Sequence, residues 1–513
     1  MTRPILFLLL LGWIGIPRGA GEPPVIRSIT PLALRPGMTN VVTVRGDRLN
    51  GPIALWSGFP AMIEREVAEE PNHFVWRVTP ASTLKPGWGV IRLLTTNGLS
   101  SFYPVLLDDV ELDAKSDHLR RARGKSAATR AVKDLSIPGA IDGIVEAEKS
   151  ERFELDLKRG QRVIIDAVAH RFSSSLDPVL RLTDARGREM GFCDDDPLLG
   201  RDSRLRFKAP AKGRYGLELR DINYQGGSNY FYHLRVAKGP APGWRLAPMH
   251  GLSRAALEGT APPGLREREP NDRADQAQPI GIPVRIVGRF ETKNDRDLYS
   301  FEVRKDEKVS FRSRTRRLGS PCDAFMRLLS STEVLLAETK VSDTNDAALN
   351  HTFKEAGQVL LEVTELTGQA GPGRNYEVLV ARFQPTFELR VDTETAQGAP
   401  GREFELKVSA VRQEYEGSIR LDVVGLPAGV ELAGAEVPEK KNETTLKIKL
   451  PEDCAAGQMF HFRVVGMGTG AVAETRVEAS TGAALRKVFP NMLYPDPELD
   501  GWIGLGVIEK PNP

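Results

Sequence analysis

Leu176-Asp177-Pro178-Val179-Leu180-Arg181-Leu182 (LDPVLRL) is answered further along the chain by Cys322-Asp323-Ala324-Phe325-Met326-Arg327-Leu328 (CDAFMRL). The match continues: Lys212 to Leu219 (KGRYGLEL) falls on Ala356 to Val363 (AGQVLLEV). Working outward, Gly143 falls on Gly288, Phe153 on Tyr299, Leu157 on Val303, Val163 on Val309 and Tyr232 on Tyr376, with only small gaps. Within these runs apolar and polar residues alternate, which is the period of a strand with one face buried. Turn residues punctuate them, as in Lys158-Arg159-Gly160 and Ala211-Lys212-Gly213. Two copies of one β-sandwich in tandem are therefore expected.

The same grammar extends to both flanks. Val41 to Val44 alternates and predicts a turn at Gly46-Asp47. The fold class is all-β: tandem sandwich modules, Ig-like and jelly-roll-like, joined by linkers. The expected division is a signal peptide over 1–21, an Ig-like domain over 23–107, a charge-mixed linker over 108–137 and the first copy over 138–238. A Pro/Gly-rich linker over 239–264 follows, then the second copy over 265–383, a further Ig-like sandwich over 385–480 and a tail over 481–513 with no assigned fold. Helical periodicity is concentrated in Asp117 to Val132.

Bulk properties agree. A chain of 513 residues holds about four domains. Net charge is +2, so the molecule as a whole gives no electrostatic case for nucleic acid or an anionic membrane. Arg3 precedes an almost wholly apolar run from Pro4 to Ile16, and small residues follow at Gly19, Ala20 and Gly21. This is the pattern of a secretory signal peptide and predicts a secreted, periplasmic or cell-surface location. The run is shorter than the roughly 20 residues a membrane helix needs, and no later transmembrane segment is expected. Cys193, Cys322 and Cys454 are widely spaced and odd in number, so neither a disulfide scaffold nor a zinc site is read from them.

The repeat resembles the bacterial pre-peptidase C-terminal domain, a jelly-roll-like module appended to secreted peptidases. Asn294 to Phe301 (NDRDLYSF), Gly160 to Val163, Asp177 to Leu182 and Gly213 to Leu219 carry the resemblance, as does Glu269-Pro270-Asn271-Asp272 in the second copy. The first copy has Glu148 to Phe153 (EKSERF) at the matching place and rests on the strand pattern. Residues 24–107 resemble an IPT/TIG-like Ig domain through Pro24 to Pro31 and Val42 to Gly46. Residues Phe387 to Ser480 resemble an Ig-like module attached to secreted hydrolases through Ile419 to Val430.

Catalytic motifs are not recognised: His73, His118, His170, His233, His250, His351 and His461 are scattered, with no HExxH, nucleophile elbow or P-loop. Calcium is the chemistry the residues favour most. Glu267, Glu269, Asn271 and Asp272 crowd hard oxygen donors together, and alternation puts Glu267, Glu269 and Asn271 on one face. Asp295 and Asp297 follow before the next strand, and the resemblance implies Ca²⁺ at these six positions. Asp194, Asp195 and Asp196, with Asp177, form a second and weaker acidic candidate; a solvated turn explains it as well. The basic run His118 to Lys125 reads as a solvated helix face. Tyr224, Tyr230, Phe231 and Tyr232 are candidate aromatic platforms, with core packing as the competing account.

A non-enzymatic binding or scaffold protein is expected, contacting collagen-like or polysaccharide polymers or a cell-surface protein. The alternatives are an accessory or secretion-linked partner of a separate secreted peptidase or hydrolase, and a hydrolase with an unrecognised site.

Overall fold

Gly143 and Gly288 hold the same position in two sandwiches, and the reason is steric. In the computed structural model each lies opposite a buried tyrosine, Gly143 against Tyr232 and Gly288 against Tyr376. A Cβ on either glycine would fall 2.3 Å from that tyrosine's side chain, so only a residue without one lets the ring lie across the strand. The structure describes residues 22–66, 73–113, 133–196, 199–250, 252, 262–315, 318, 320–340, 346–468, 476–491 and 496–509. The expected signal peptide, the helical segment 117–132 and the basic run 118–125 lie outside them.

From that shared contact the two copies run in step. In the first, Glu151–Leu157, Gly213–Asp221, Pro178–Thr183 and Glu189–Cys193 are neighbours in one sheet. Gly139–Ile144, Phe231–Ala237, Arg162–Val168 and Ser203–Lys208 are neighbours in the other. In the second copy Arg296–Val303, Gly357–Glu365, Ala324–Ser330 and Leu335–Glu338 repeat the first order. Val284–Arg289, Asn375–Arg382, Lys308–Arg314 and Ala348–Thr352 repeat the second. The registers coincide: Leu180 faces Leu219 as Met326 faces Val363, and Phe153 faces Leu217 as Tyr299 faces Leu361. Alternate side chains close a separate apolar interior in each copy. Each fully buried aliphatic side chain there contributes about 1.5–3 kcal/mol.

The first module pairs Val25–Thr30, Asn40–Asp47, His73–Pro80 and Ala61–Glu66 in one sheet. Ala33–Leu34, Tyr103–Leu107, Gly87–Thr95 and Pro52–Ser57 form the other. The turn expected at Gly46-Asp47 is not made. The strand continues through both residues, because Gly46 slides against a bulge in its partner, where a Cβ would meet the Val25 carbonyl at 1.9 Å.

The last module uses residues from the segment read as a tail. Ile503–Val507 is inserted between Thr395–Gly398 and Met459–Gly468, and Ile503, Leu505 and Val507 belong to that module's core. Its two glycines, Gly504 and Gly506, alternate with these core residues. They admit close approach of Arg92 and Leu94 from the first module. The stretch 239–264 is likewise no free spacer where it is described. Trp88 donates to the Arg245 carbonyl (3.0 Å), and Ala247 donates to the Trp88 carbonyl (2.7 Å), which straps the chain to the first module.

Among the described residues about 53% are strand and 3% helix, which settles the all-β sandwich class. Placing alanine at Gly143 should overpack Tyr232 and cost about 1–3 kcal/mol. Calorimetry should show this as a lowered transition for the first copy, with the second copy's unchanged; an unaltered trace would contradict the contact.

Candidate functional site

At one end of the second copy three carboxylates converge. Glu267 follows the short strand Gly264–Arg266, Glu269 lies two residues on, and Asp297 opens the strand Arg296–Val303. Their nearest oxygens all lie within 4.8 Å of one another. It is the only such group of His, Cys, Asp or Glu side chains among the described residues. Asp297 is fully buried, Glu267 half-buried and Glu269 exposed, so the cluster grades from core to water. Asn271 is buried at its centre. With its amide nitrogen turned toward the carboxylates it donates to Glu269 Oε2 (3.1 Å) and Asp297 Oδ1 (3.2 Å). Tyr376 Oη donates to Asp297 Oδ2 (2.7 Å) and stands 2.7 Å from Tyr299 Oη.

The electrostatics are those of crowded negative charge. Burial, then the hydrogen bond and charge of Glu267, push the Asp297 carboxyl up to about 10. Glu269 is raised by burial and by Glu267, Asp295 and Asp272. A proton on Asp297 and a cation among the oxygens relieve the same repulsion. The donor set fits a hard divalent cation: three carboxylates, and a buried amide that turns its oxygen inward by a half-rotation.

Of the six residues expected to hold calcium, the structure brings together Glu267, Glu269, Asn271 and Asp297. Asp272 is exposed, and its backbone carbonyl accepts from Arg296. Asp295 closes its own loop, accepting from the backbone N–H and the hydroxyl of Thr292 (3.3 and 2.9 Å).

The second acidic candidate is divided. Asp196 is buried and pairs with Arg206 (3.2 Å). Asp177 lies 3.6 Å from Arg201, and its pKa is raised by burial against the pull of that arginine. Asp195 is raised by burial and by its neighbour Asp194, whose carbonyl accepts from Ser203. Among the described residues these four do not converge on one point.

Sequence reasoning missed the most elaborate polar site. His233 is buried with Nδ1 2.7 Å from Asp142 Oδ1 and Nε2 3.1 Å from Asp108 Oδ2. Arg235 donates to Asp108 (2.9 Å) and Asp109 (3.1 Å), and Asp142 Oδ2 accepts the backbone N–H of Leu32 (2.8 Å). The Trp244 ring meets His233 edge to face, with its Nε1 donating to Asp166 (3.2 Å). Burial pulls the imidazole pKa down, but the hydrogen bonds and charges of Asp108 and Asp142 outweigh it and push it up to about 9. A second buried ion pair, Arg92 with Glu394 (2.6 Å), joins the first and last modules beneath the Phe102 ring.

No family model matches the chain, and no curated protein matches it. Among solved structures, the Bacteroides ovatus mixed-linkage glucan utilization locus SGBP-B, in complex with a mixed-linkage heptasaccharide, is 10% identical. That match covers 70% of this chain and 76% of that one, at a TM-score of 0.17. Fibronectin(III)-like modules of Clostridium thermocellum CbhA are 8% identical, over 47% of this chain and 92% of theirs, at a TM-score of 0.15. At such scores a likeness carries no information about what this chain binds. Among the described residues no helix is long and apolar enough to cross a membrane.

His233 fixes a pH dependence. Its folded pKa of about 9 lies above the ordinary 6.5, so its contribution is full below pH 6.5 and is lost as pH rises through about 9. The shift corresponds to about 3 kcal/mol. Denaturation midpoints between pH 6 and 10 should fall over that window, and His233→Gln should flatten the fall. A wild-type profile flat from pH 7 to 10 would show the imidazole to be neutral.

Proposed function

We propose that the chain is a secreted, non-catalytic binding and scaffold protein that contacts an extracellular polymer or protein partner through its docked β-sandwiches. The observation that carries this reading is the use made of the buried polar side chains. His233, Asp108, Asp142 and Arg235 tie the first module to the first repeat copy, and Arg92 and Glu394 tie it to the last module. Groups that an enzyme would turn toward a substrate are spent on holding modules in fixed relation. Secretion rests on the apolar run after Arg3. Fixed relation between modules presents several surfaces at once, so that weak contacts to a repetitive polymer add through effective concentration.

Calcium belongs to the same proposal. Glu267, Glu269, Asn271 and Asp297 would hold it, and the ion would neutralise the repulsion at the opening of the second copy.

The purified full chain, incubated with insoluble collagen, chitin and cell-wall polysaccharide and with immobilised cell-surface protein, should be captured by at least one of them. Capture by none would end the binding reading, and covalent labelling of a single serine by a fluorophosphonate probe would end the non-catalytic one. With calcium at about a hundred times its Kd, binding adds about 2.7 kcal/mol. The melting temperature should therefore rise over that in chelator, and Asp297→Asn should abolish the rise. A wild-type melting temperature indifferent to calcium would remove the ion from the proposal.

A further inference from the structure

The two repeat copies can be compared loop by loop after the strands Gly213–Asp221 and Gly357–Glu365. Each strand ends in a buried carboxylate that ties down the following turn. Asp221 Oδ1 accepts from the backbone N–H of Asn223 and Gln225 (2.9 and 3.0 Å), and Oδ2 from that of Asp177 (3.1 Å). Glu365 Oε2 accepts from the N–H of Thr367 and Gln369 (2.8 and 2.9 Å), and Oε1 from that of Asp323 (3.5 Å). Ile222 and Leu366 come next in the two turns, and both are exposed. The third loop residue is left-handed in both copies, Tyr224 at φ 56° and Gly368 at φ 68°. Its carbonyl accepts from a residue that is itself left-handed: Glu148 (φ 61°, 2.8 Å) in one copy, Asn294 (φ 60°, 2.9 Å) in the other.

The copies part at the side chain. In the second, Asn294 folds over Gly368, where a Cβ would fall 2.1 Å from its Oδ1. In the first, the same backbone carries a tyrosine. A bulky L-residue is disfavoured at positive φ, and glycine is free of that cost. Core packing does not compensate for it, since Tyr224 is 49% exposed. The ring is instead held in place from one side by the Arg220 guanidinium, 4.5 Å from its centroid. Exposed Asn223 and Gln225 flank it in the chain and exposed Asn229 lies five residues on in the same loop, and Gln225 is fixed by a hydrogen bond from Tyr230 Oη to its Oε1 (2.6 Å). A strained residue that its surroundings over-determine and that shows half its surface to water points to a ligand.

We propose that loop 222–230 of the first copy is a carbohydrate-binding site, in which a neutral pyranose lays its C–H face on the Tyr224 ring and its hydroxyls meet the amides of Asn223, Gln225 and Asn229. The inference rests on the binding-protein reading above and names its ligand class. A tyrosine ring offers an apolar face with a polar tip, which suits a sugar with an apolar face and hydroxylated rim. Proline-rich peptides dock in grooves lined by several aromatic rings. Here one exposed ring stands in a loop that carries three exposed amide residues, which favours the sugar.

The test uses the full chain in native gels cast with hydroxyethylcellulose, mixed-linkage β-glucan, xylan or galactomannan, alongside collagen-coated wells. Wild type should be retarded by at least one polysaccharide. Tyr224→Phe should be retarded equally, and Tyr224→Gly should lose about tenfold or more in affinity. The melting temperature of Tyr224→Gly should stay within about 1 °C of wild type or rise, because glycine takes the same φ without strain. Retardation of Tyr224→Gly equal to wild type would overturn the proposal and leave the binding reading standing. So would binding kept intact beside a melting temperature lowered by several degrees, which would make the ring a packing element. Tyr224-dependent capture on collagen, with no retardation by any polysaccharide, would replace the sugar by a peptide. No retardation and no capture on any surface would sink the binding reading as well.

Discussion

A strand whose side chains are buried on both faces must be covered twice, and Gly87–Thr95 is such a strand. One of its faces closes the first module's own core through Ile91 and Leu93. The other carries Trp88 and Val90 into a second apolar cluster with Phe102, Leu106, Val168, Phe172, Leu199, Trp244, Leu485, Phe489 and Leu499. Those residues come from the first module, the first repeat copy, the stretch after it and the C-terminal segment. The cluster therefore joins parts of the chain that a string of independent beads would keep separate. Removing that apolar surface from water is what turns the linker at Trp244 and the helix Gly482–Val488 into structural members.

Polar joints sit around this apolar one and depend on it. A buried imidazole between two carboxylates is tolerable only because each partner is satisfied: His233 by Asp108 and Asp142, Asp108 also by Arg235, Asp142 also by the Leu32 amide. Arg92 and Glu394 form the second polar joint, with Arg92 also donating to the Ser100 carbonyl (3.2 Å) while its Nε finds no partner among the described residues. Breaking one member would leave the others desolvated and unpaired, so the joints specify one relative placement of modules more than they add stability.

What could be read from the sequence follows from which interactions are local. Alternation at Leu180, Leu182, Leu217 and Leu219 is a property of single strands, and the repeat doubled the signal, so the sandwiches were legible. The shared face of Glu267, Glu269 and Asn271 was legible for the same reason. Whether Asp295 or Asp297 completes that face was not, because the hydrogen bonds that Asp295 accepts in the loop at Thr292 decide it. His233 and Asp108 are 125 residues apart, and no periodicity links them. Ile503–Val507 was illegible because its glycines answer to Arg92 and Leu94 in another module and not to any local preference.

The two copies set different side chains on one scaffold. Their strands share order and register, while the loops after Gly213–Asp221 and Gly357–Glu365 keep one backbone and differ in side chain. In the second copy Asn294 covers Gly368, and the neighbouring residues bring Asp297 to Glu267 and Glu269. In the first copy Glu148 stands at the place of Asn294, and Glu151, buried, stands at that of Asp297. The left-handed position there is free to carry Tyr224. An amide folded over a glycine and an aromatic ring in its place are mutually exclusive uses of one turn. The covering amide and the aromatic ring therefore fall in different copies, and a duplicated sandwich holds both.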